Sequence, residues 1–159
     1  MMMRSKQSVL LVLFTLSLAI PAHADMGYPN PGMQVIKTPH DFKTLWDRLE
    51  GAIKTNKMGL VTRASASYGA AHRKITIPGN AVFGVYRNDF AVRMLKASVP
   101  AGIEAPLRFY ITENADGKTN LIYRLPSAVF KPYGSADLDI MAKELDVIFA
   151  KIAADAAGS

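Results

Sequence analysis

The chain has 159 residues, of which 50% are hydrophobic and 20% are charged, and this composition is typical of a globular domain rather than a disordered chain. It contains no cysteine, which excludes disulfides, thiolate nucleophiles and thiolate-bound metals. The formal net charge is +6, and the basic residues are concentrated in the middle, where residues 54–131 hold 12 basic and 4 acidic side chains.

The first 24 residues have the pattern of a cleavable signal peptide. Arg4 and Lys6 precede an uncharged apolar stretch, and the sequence PAHA then supplies small residues before a cleavage point after Ala24. The apolar stretch, residues 9–20, is shorter than the roughly 20 residues of a transmembrane helix. We therefore expect export to the periplasm or the medium, which leaves a mature chain of 135 residues with a net charge of +4.

A flexible lead-in, residues 25–32, is expected before a single α/β domain over residues 33–154. The domain begins with a strand, 33–37, and with a helix that has Thr38 as its N-cap and runs to about residue 57. Apolar residues recur every three or four positions along this helix, which predicts one buried face made of Phe42, Leu45, Trp46, Leu49 and Ile53.

The middle of the chain alternates strands with helices. In order, the predicted elements are a strand over 60–66, a weak short helix over 67–75, a strand over 81–87 and a helix from Asn88 or Asp89 to about 99. Pro78 and Gly79 indicate a turn before the second of these strands, and Pro100 and Gly102 end the second helix.

Apolar alternation on both sides of Asp116-Gly117 predicts a β-hairpin over residues 106–125. A two-residue Asp-Gly turn would mix charged and apolar side chains on each face, which a half-buried sheet disfavours. A three-residue loop with Gly117 in the left-handed conformation gives one clean apolar face, so we prefer it. The facing pairs are then Leu107 with Leu125, Phe109 with Tyr123, and Ile111 with Leu121.

The chain ends in a short turn over 127–134 and an amphipathic helix that starts at Ser135 or Asp137 and buries one stripe: Leu138, Met141, Leu145, Ile148, Phe149 and Ile152. Residues 155–159 are expected to form a disordered tail. The order of the elements predicts an α+β two-layer sandwich, with a mixed sheet of about five strands that ends in an antiparallel hairpin and with helices packed on one face.

These elements resemble the family catalogued as domain of unknown function 302, over roughly residues 34–153. The resemblance lies in the opening helix HDFKTLWDRLEGAIKTNKMGLV, the segment VFGVYRNDFAVRMLKASVPAGIEAPLRFYITENADGKTNLIYRLP and the closing helix. It implies a compact α/β fold that is often dimeric, so a homodimer is expected. It implies no catalytic residues, and residues 69–84 follow the family pattern only loosely.

Two arginines form the first candidate site. In the preferred register Arg108 and Arg124 lie opposite each other on the face away from the core, beside Tyr110 and Ile122. Opposed like charges are unfavourable unless an anion lies between them. Paired guanidinium groups suit a carboxylate, phosphate or sulfur oxyanion, whereas in the alternative both groups extend into water or pair with acids of the last helix.

A cleft near Tyr68, His72, Arg73 and Arg87 is the second candidate, and it would suit a small enzyme. A lone histidine is more often structural, and the two histidines of the mature chain have no matching carboxylate spacing, so no metal site is predicted. Nucleophile-elbow, phosphate-loop and dinucleotide fingerprints are absent, and no cofactor is predicted.

The sequence therefore favours an exported binding or accessory domain for a small anion or a partner protein. A small periplasmic enzyme and a purely structural or interaction protein are the alternatives. Nucleic acid is not an expected partner, because of the export signal and because most aromatic residues fall on the core face. Peripheral contact with an anionic membrane stays open.

Overall fold

The computed structural model describes residues 30–158, whose helices pack on one face of a β-sheet. The five strands of this part have the order β1-β5-β4-β3-β2. They are β1 (Met33–Lys37), β2 (Gly59–Ala64), β3 (Asn80–Tyr86), β4 (Leu107–Glu113) and β5 (Thr119–Arg124). The α-helices are α1 (Phe42–Thr55), α2 (Ala66–His72), α3 (Asn88–Ala97), α4 (Pro126–Phe130) and α5 (Ala136–Ala157), and 3₁₀ turns lie at Val99–Glu104 and Lys131–Tyr133.

The predicted α+β two-layer fold is confirmed, with one correction to the sheet. The sequence predicts a mixed sheet, whereas every observed strand pair is antiparallel. Strands β2 to β5 are neighbours in chain order, so each connection turns the chain back beside the preceding strand instead of crossing the sheet. Among the described strands, the connection from β1 to β2, which contains α1, is the one that passes from one edge of the sheet to the other, and it leaves β1 at the far edge beside β5.

The core lies between the sheet and helices α1, α3 and α5. Phe83, Phe109 and Leu121 of the sheet are fully buried. Phe109 stacks on Phe149 of α5, with ring centroids 4.7 Å apart and planes 15° apart. Because burial of a large apolar side chain stabilises a fold by roughly 1.5–3 kcal/mol, this layer supplies most of the driving force for folding.

Helix α1 begins three residues later than the sequence predicts. Its N-cap is Asp41, whose Oδ1 accepts the Thr44 N–H at 2.8 Å, and this hydrogen bond lowers the pKa of Asp41. Thr38, the predicted N-cap, is buried beside β5, where its hydroxyl donates to the Thr119 carbonyl at 2.7 Å. The chain stays paired with β5 through this point because the hydroxyl and the N–H of Thr38 both find their acceptor there.

Helix α5 continues through Ala157, so residues 155–157 are helical where the sequence predicts a disordered tail. Side chains from the start of the domain bind its last carbonyls. Arg48 Nε donates to the Ala156 carbonyl at 2.6 Å, and His40 Nε2 lies 3.1 Å from the Ala157 carbonyl. Hydrogen-bond partners at otherwise unpaired end carbonyls stabilise a helix end, which explains the extra turn.

The predicted hairpin register is confirmed for two of its three facing pairs. Phe109 pairs with Tyr123, and Ile111 pairs with Leu121, but the ladder does not extend to Leu107 and Leu125, because Leu125 is already the N-cap of α4. The three-residue loop ends at Gly117, which has φ +75°. The same register places Arg108 and Arg124 just beyond the end of this ladder, where they form part of the candidate site.

The signal peptide predicted for residues 1–24 and most of the lead-in lie outside the described residues. Within residues 30–158, none of the helices has the length and apolar content that a membrane crossing requires. Export therefore stays a prediction from the sequence.

Candidate functional site

Arg108 and Arg124 lie at the open end of the hairpin, on the neighbouring strands β4 and β5. Phe109 with Tyr123 is the last pair of the β4–β5 ladder, and the two arginines lie directly beyond this pair, one on each strand. Their side chains border the same cavity, so both guanidinium groups can reach one ligand.

Both arginines line a cavity of about 60 Å³ between this end of the sheet and α4, hereafter the β4–β5 cavity. Its lining combines two guanidinium groups, one carboxylate and two aliphatic side chains, from Arg108, Arg124, Glu104, Leu107 and Val129. The formal charge of this lining is +1. Tyr110, also predicted for this site, pairs with Ile122 further along the hairpin and does not line the cavity.

Hydrogen bonds to backbone carbonyls hold Arg124 in place. Its Nε donates to the Pro31 carbonyl at 3.0 Å, and its Nη2 donates to the Ala128 carbonyl at 3.1 Å. These acceptors are uncharged, so they orient the guanidinium group without neutralising it. Arg108 is exposed and forms no ion pair within residues 30–158. The pair thus consists of one fixed cation and one adjustable cation.

The acids of α5 form their ion pairs elsewhere. Glu144 binds Arg93 through two hydrogen bonds of 2.7 and 2.8 Å, and Asp155 binds Lys151 at 3.0 Å. Within the described residues, no α5 acid forms an ion pair with either arginine of the cavity. The alternative in which these acids neutralise the arginine pair therefore has no support.

Glu104 is the acidic member of the lining. It closes the 3₁₀ turn Val99–Glu104, and its Oε1 accepts the Tyr133 hydroxyl at 2.8 Å. This hydrogen bond raises the pKa of Tyr133, because only the neutral phenol can donate a proton to the Glu104 carboxylate. The hydrogen bond thereby holds the Glu104 carboxylate at the side of the cavity, where it contributes one negative charge.

The sequence did not point to Glu104, Leu107 or Val129 as site residues. The hairpin register brings only the arginines together, whereas the other three come from the 3₁₀ turn, the start of β4 and α4. One signal was present for Glu104: it is the only acid between Asp89 and Glu113.

The structure brings three residues of the second candidate site together on the surface. Tyr68 and His72 belong to α2, Arg73 is its C-cap, and all three are exposed. Helix α2 has no buried residue. Among the described residues, no group of three acidic or histidine side chains has the geometry of a metal site.

Arg87, the fourth residue of that candidate, lies away from the other three. It follows β3, whose opposite end at Asn80 contacts the start of α2, and a strand of this length spans roughly 20 Å. Its guanidinium group binds Asp89 at 2.8 Å and lies over the Phe90 ring at 4.3 Å. It also lines an apolar cavity of about 30 Å³, large enough only for about two or three water molecules.

These features define a small α+β domain with a basic cavity at one end of its sheet. The model of a domain of unknown function, DUF302, matches residues 34–156, so the chain belongs to the DUF302 family, and the resemblance seen in the sequence is confirmed. A similar solved structure is that of an uncharacterised conserved DUF302 protein from Bacillus stearothermophilus. It has a TM-score of 0.71 and 14% identity and covers 79% of this chain and 98% of its own, which shows a shared fold. A comparison with curated proteins gives no match.

Proposed function

We propose that this protein is an exported binding or accessory module whose β4–β5 cavity holds a small aliphatic monocarboxylate. The observation that carries the proposal is the pairing of Arg108 with a fixed Arg124 around one cavity. Guanidinium groups bind carboxylate oxygens through directed, charge-assisted hydrogen bonds. Orienting one of them before the ligand arrives reduces the entropy lost on binding.

Glu104 determines the charge of the expected ligand. One negative charge balances the lining charge of +1, whereas sulfate or dianionic phosphate would bring a second negative charge close to the Glu104 carboxylate. Leu107 and Val129 supply an apolar wall that suits a short alkyl chain. A cavity of about 60 Å³ then favours an acid of two or three carbons, such as acetate or propionate.

A thermal-shift series with acetate, propionate and sulfate at constant ionic strength tests the proposal. At ten times its Kd, a monocarboxylate should stabilise the protein by about 1.4 kcal/mol, or roughly 5 °C in melting temperature. Arg108→Ala should melt near the wild type without ligand, because Arg108 has no ion pair to lose, and should not respond to ligand. Arg73→Ala removes an exposed arginine outside the cavity, so this control should respond as the wild type does.

Failure of both monocarboxylates to raise the wild-type melting temperature would end this proposal. Glu104→Gln tests the charge argument separately, because it removes the negative wall and changes the lining charge to +2. The variant should respond to sulfate where the wild type does not. An unchanged sulfate response would show that Glu104 does not select for charge.

No observation on the described residues favours a reaction at Tyr68, His72 and Arg73, so the proposal does not extend to catalysis. The homodimer expected from the family resemblance stays a prediction. Light scattering on the purified mature chain measures its mass and decides between monomer and dimer.

A further inference from the structure

The segment between β2 and β3, residues 66–79, is exposed but held in place. Residues 71–78 are all exposed. The segment is anchored at both ends, because the Ser65 hydroxyl donates to the Asn80 carbonyl at 2.7 Å and the Gly79 N–H donates to Glu113 at 2.7 Å. It is therefore an ordered surface whose side chains face solvent.

The charge of this surface is positive. No acidic residue occurs between Glu50 and Asp89 in the sequence. Arg73 and Lys74 are consecutive and exposed, and neither forms an ion pair within residues 30–158. A cluster of cations without internal partners is complementary to an anionic partner.

Apolar side chains lie next to these cations. Ile75 and Ile77 are 45% and 40% exposed, and Tyr68, one helical turn before His72, is 49% exposed. Nucleic acid needs aromatic platforms for its bases and gains little from isoleucine. An anionic bilayer suits all three residue types, since aliphatic side chains enter the headgroup boundary, tyrosine favours the interface and cations bind lipid phosphates.

We propose that residues 66–79 bind the domain peripherally to an anionic lipid bilayer. Ile75 and Ile77 enter the headgroup region, and Arg73 and Lys74 contact the lipid phosphates. Tyr68 supports this surface from the protein side, because its ring packs on Trp46 at a centroid distance of 5.2 Å. The surface contains no residue of the β4–β5 cavity, so this proposal is independent of the one for small carboxylates.

Sedimentation of the mature chain with lipid vesicles tests this inference. The protein should bind vesicles rich in phosphatidylglycerol and not vesicles of phosphatidylcholine alone, and salt should weaken the binding. The double variant Arg73→Ala/Lys74→Ala should weaken vesicle binding roughly 30-fold, because each cation near an anionic surface contributes about fivefold to the affinity. Ile75→Ser/Ile77→Ser should weaken it roughly 10-fold, because less apolar surface leaves water.

Two matched variants serve as controls and should bind as the wild type does. Lys118→Ala/Lys143→Ala removes the same charge from other surfaces, and Ile140→Ser/Val147→Ser removes exposed aliphatic side chains from α5. No binding to anionic vesicles, or equal weakening by the controls, overturns the proposal. The proposal is also overturned, in favour of an acidic protein partner, by a combination of two results. These are that vesicle binding is weakened by the cation variant but not by the isoleucine variant, and that the protein binds a polyglutamate peptide as well.

Discussion

The β4–β5 cavity and the 66–79 segment are both basic, but they are built differently. In the cavity, Arg124 is oriented by two backbone carbonyls and stands beside Arg108 and an acidic wall. In the segment, Arg73 and Lys74 extend from a surface that buries no side chain of its helix. Oriented cations around a small volume select a small ligand, whereas exposed cations among aliphatic side chains suit an extended surface. The supporting contacts, rather than the number of cations, therefore distinguish the two sites.

The largest expected effect on the free energy of unfolding concerns a core residue behind the cavity. Phe149 is fully buried and stacks on Phe109, the neighbour of Arg108 on β4. Phe149→Ala should lower the free energy of unfolding by about 3–5 kcal/mol. Tyr68→Ala in the 66–79 segment should cost only about 1 kcal/mol, from its aromatic contacts. Urea denaturation measures both losses, and equal losses would contradict the division into a packed and an exposed region.

A smaller effect is expected in the loop of the hairpin that carries the cavity. Gly117 has φ +75°, and a Cβ there would meet no atom within 4 Å, so strain in the backbone is the only cost of a side chain. Gly117→Ala should lower the free energy of unfolding by about 1 kcal/mol, and Gly117→Asn by less, because asparagine tolerates this conformation better. Denaturation of the two variants measures the difference. Identical costs would indicate that the loop relaxes to another conformation.

The smallest effect concerns Glu50, which joins α1 to the edge strand β2 that leads into the 66–79 segment. Its Oε1 accepts Arg63 Nε at 2.6 Å and Trp46 Nε1 at 2.7 Å. The hydrogen bond from Arg63, helped by the one from Trp46, lowers the pKa of Glu50 below its ordinary 4.5. A carboxyl group with a lowered folded-state pKa contributes stability above its unfolded pKa and loses it as pH falls through the folded value.

Glu50→Gln should therefore destabilise the protein by about 0.5 to 1 kcal/mol near neutral pH, a modest value because the side chain is partly exposed and screened. The difference from the wild type should shrink as pH falls below about 4.5. Urea denaturation at neutral and acidic pH measures it. A constant difference across this pH range would mean that the charge of Glu50 does not stabilise the contact between α1 and β2.

The hairpin shows how much of the site is predictable from sequence. Side chains alternate between faces along a strand, so the apolar pattern selects one register and thereby brings Arg108 and Arg124 to the same end of the hairpin, next to the pair of Phe109 with Tyr123. Glu104 and Val129 carry no comparable pattern, because a 3₁₀ turn and a five-residue helix have little periodicity. The sequence thus predicts the cations of the cavity, but not its acidic and apolar walls.

By itself, the sequence determined the local elements, the hairpin register, the buried faces of α1 and α5 and the family, because periodicity and turn residues act over a few neighbouring positions. Only the tertiary structure decided that Thr38 pairs with β5 instead of capping α1, that Arg48 extends α5, and that Arg87 lies apart from His72. These outcomes depend on partners distant in the chain. Local preferences are worth about 1 kcal/mol each, so a long-range hydrogen bond or a strand pairing is sufficient to override them.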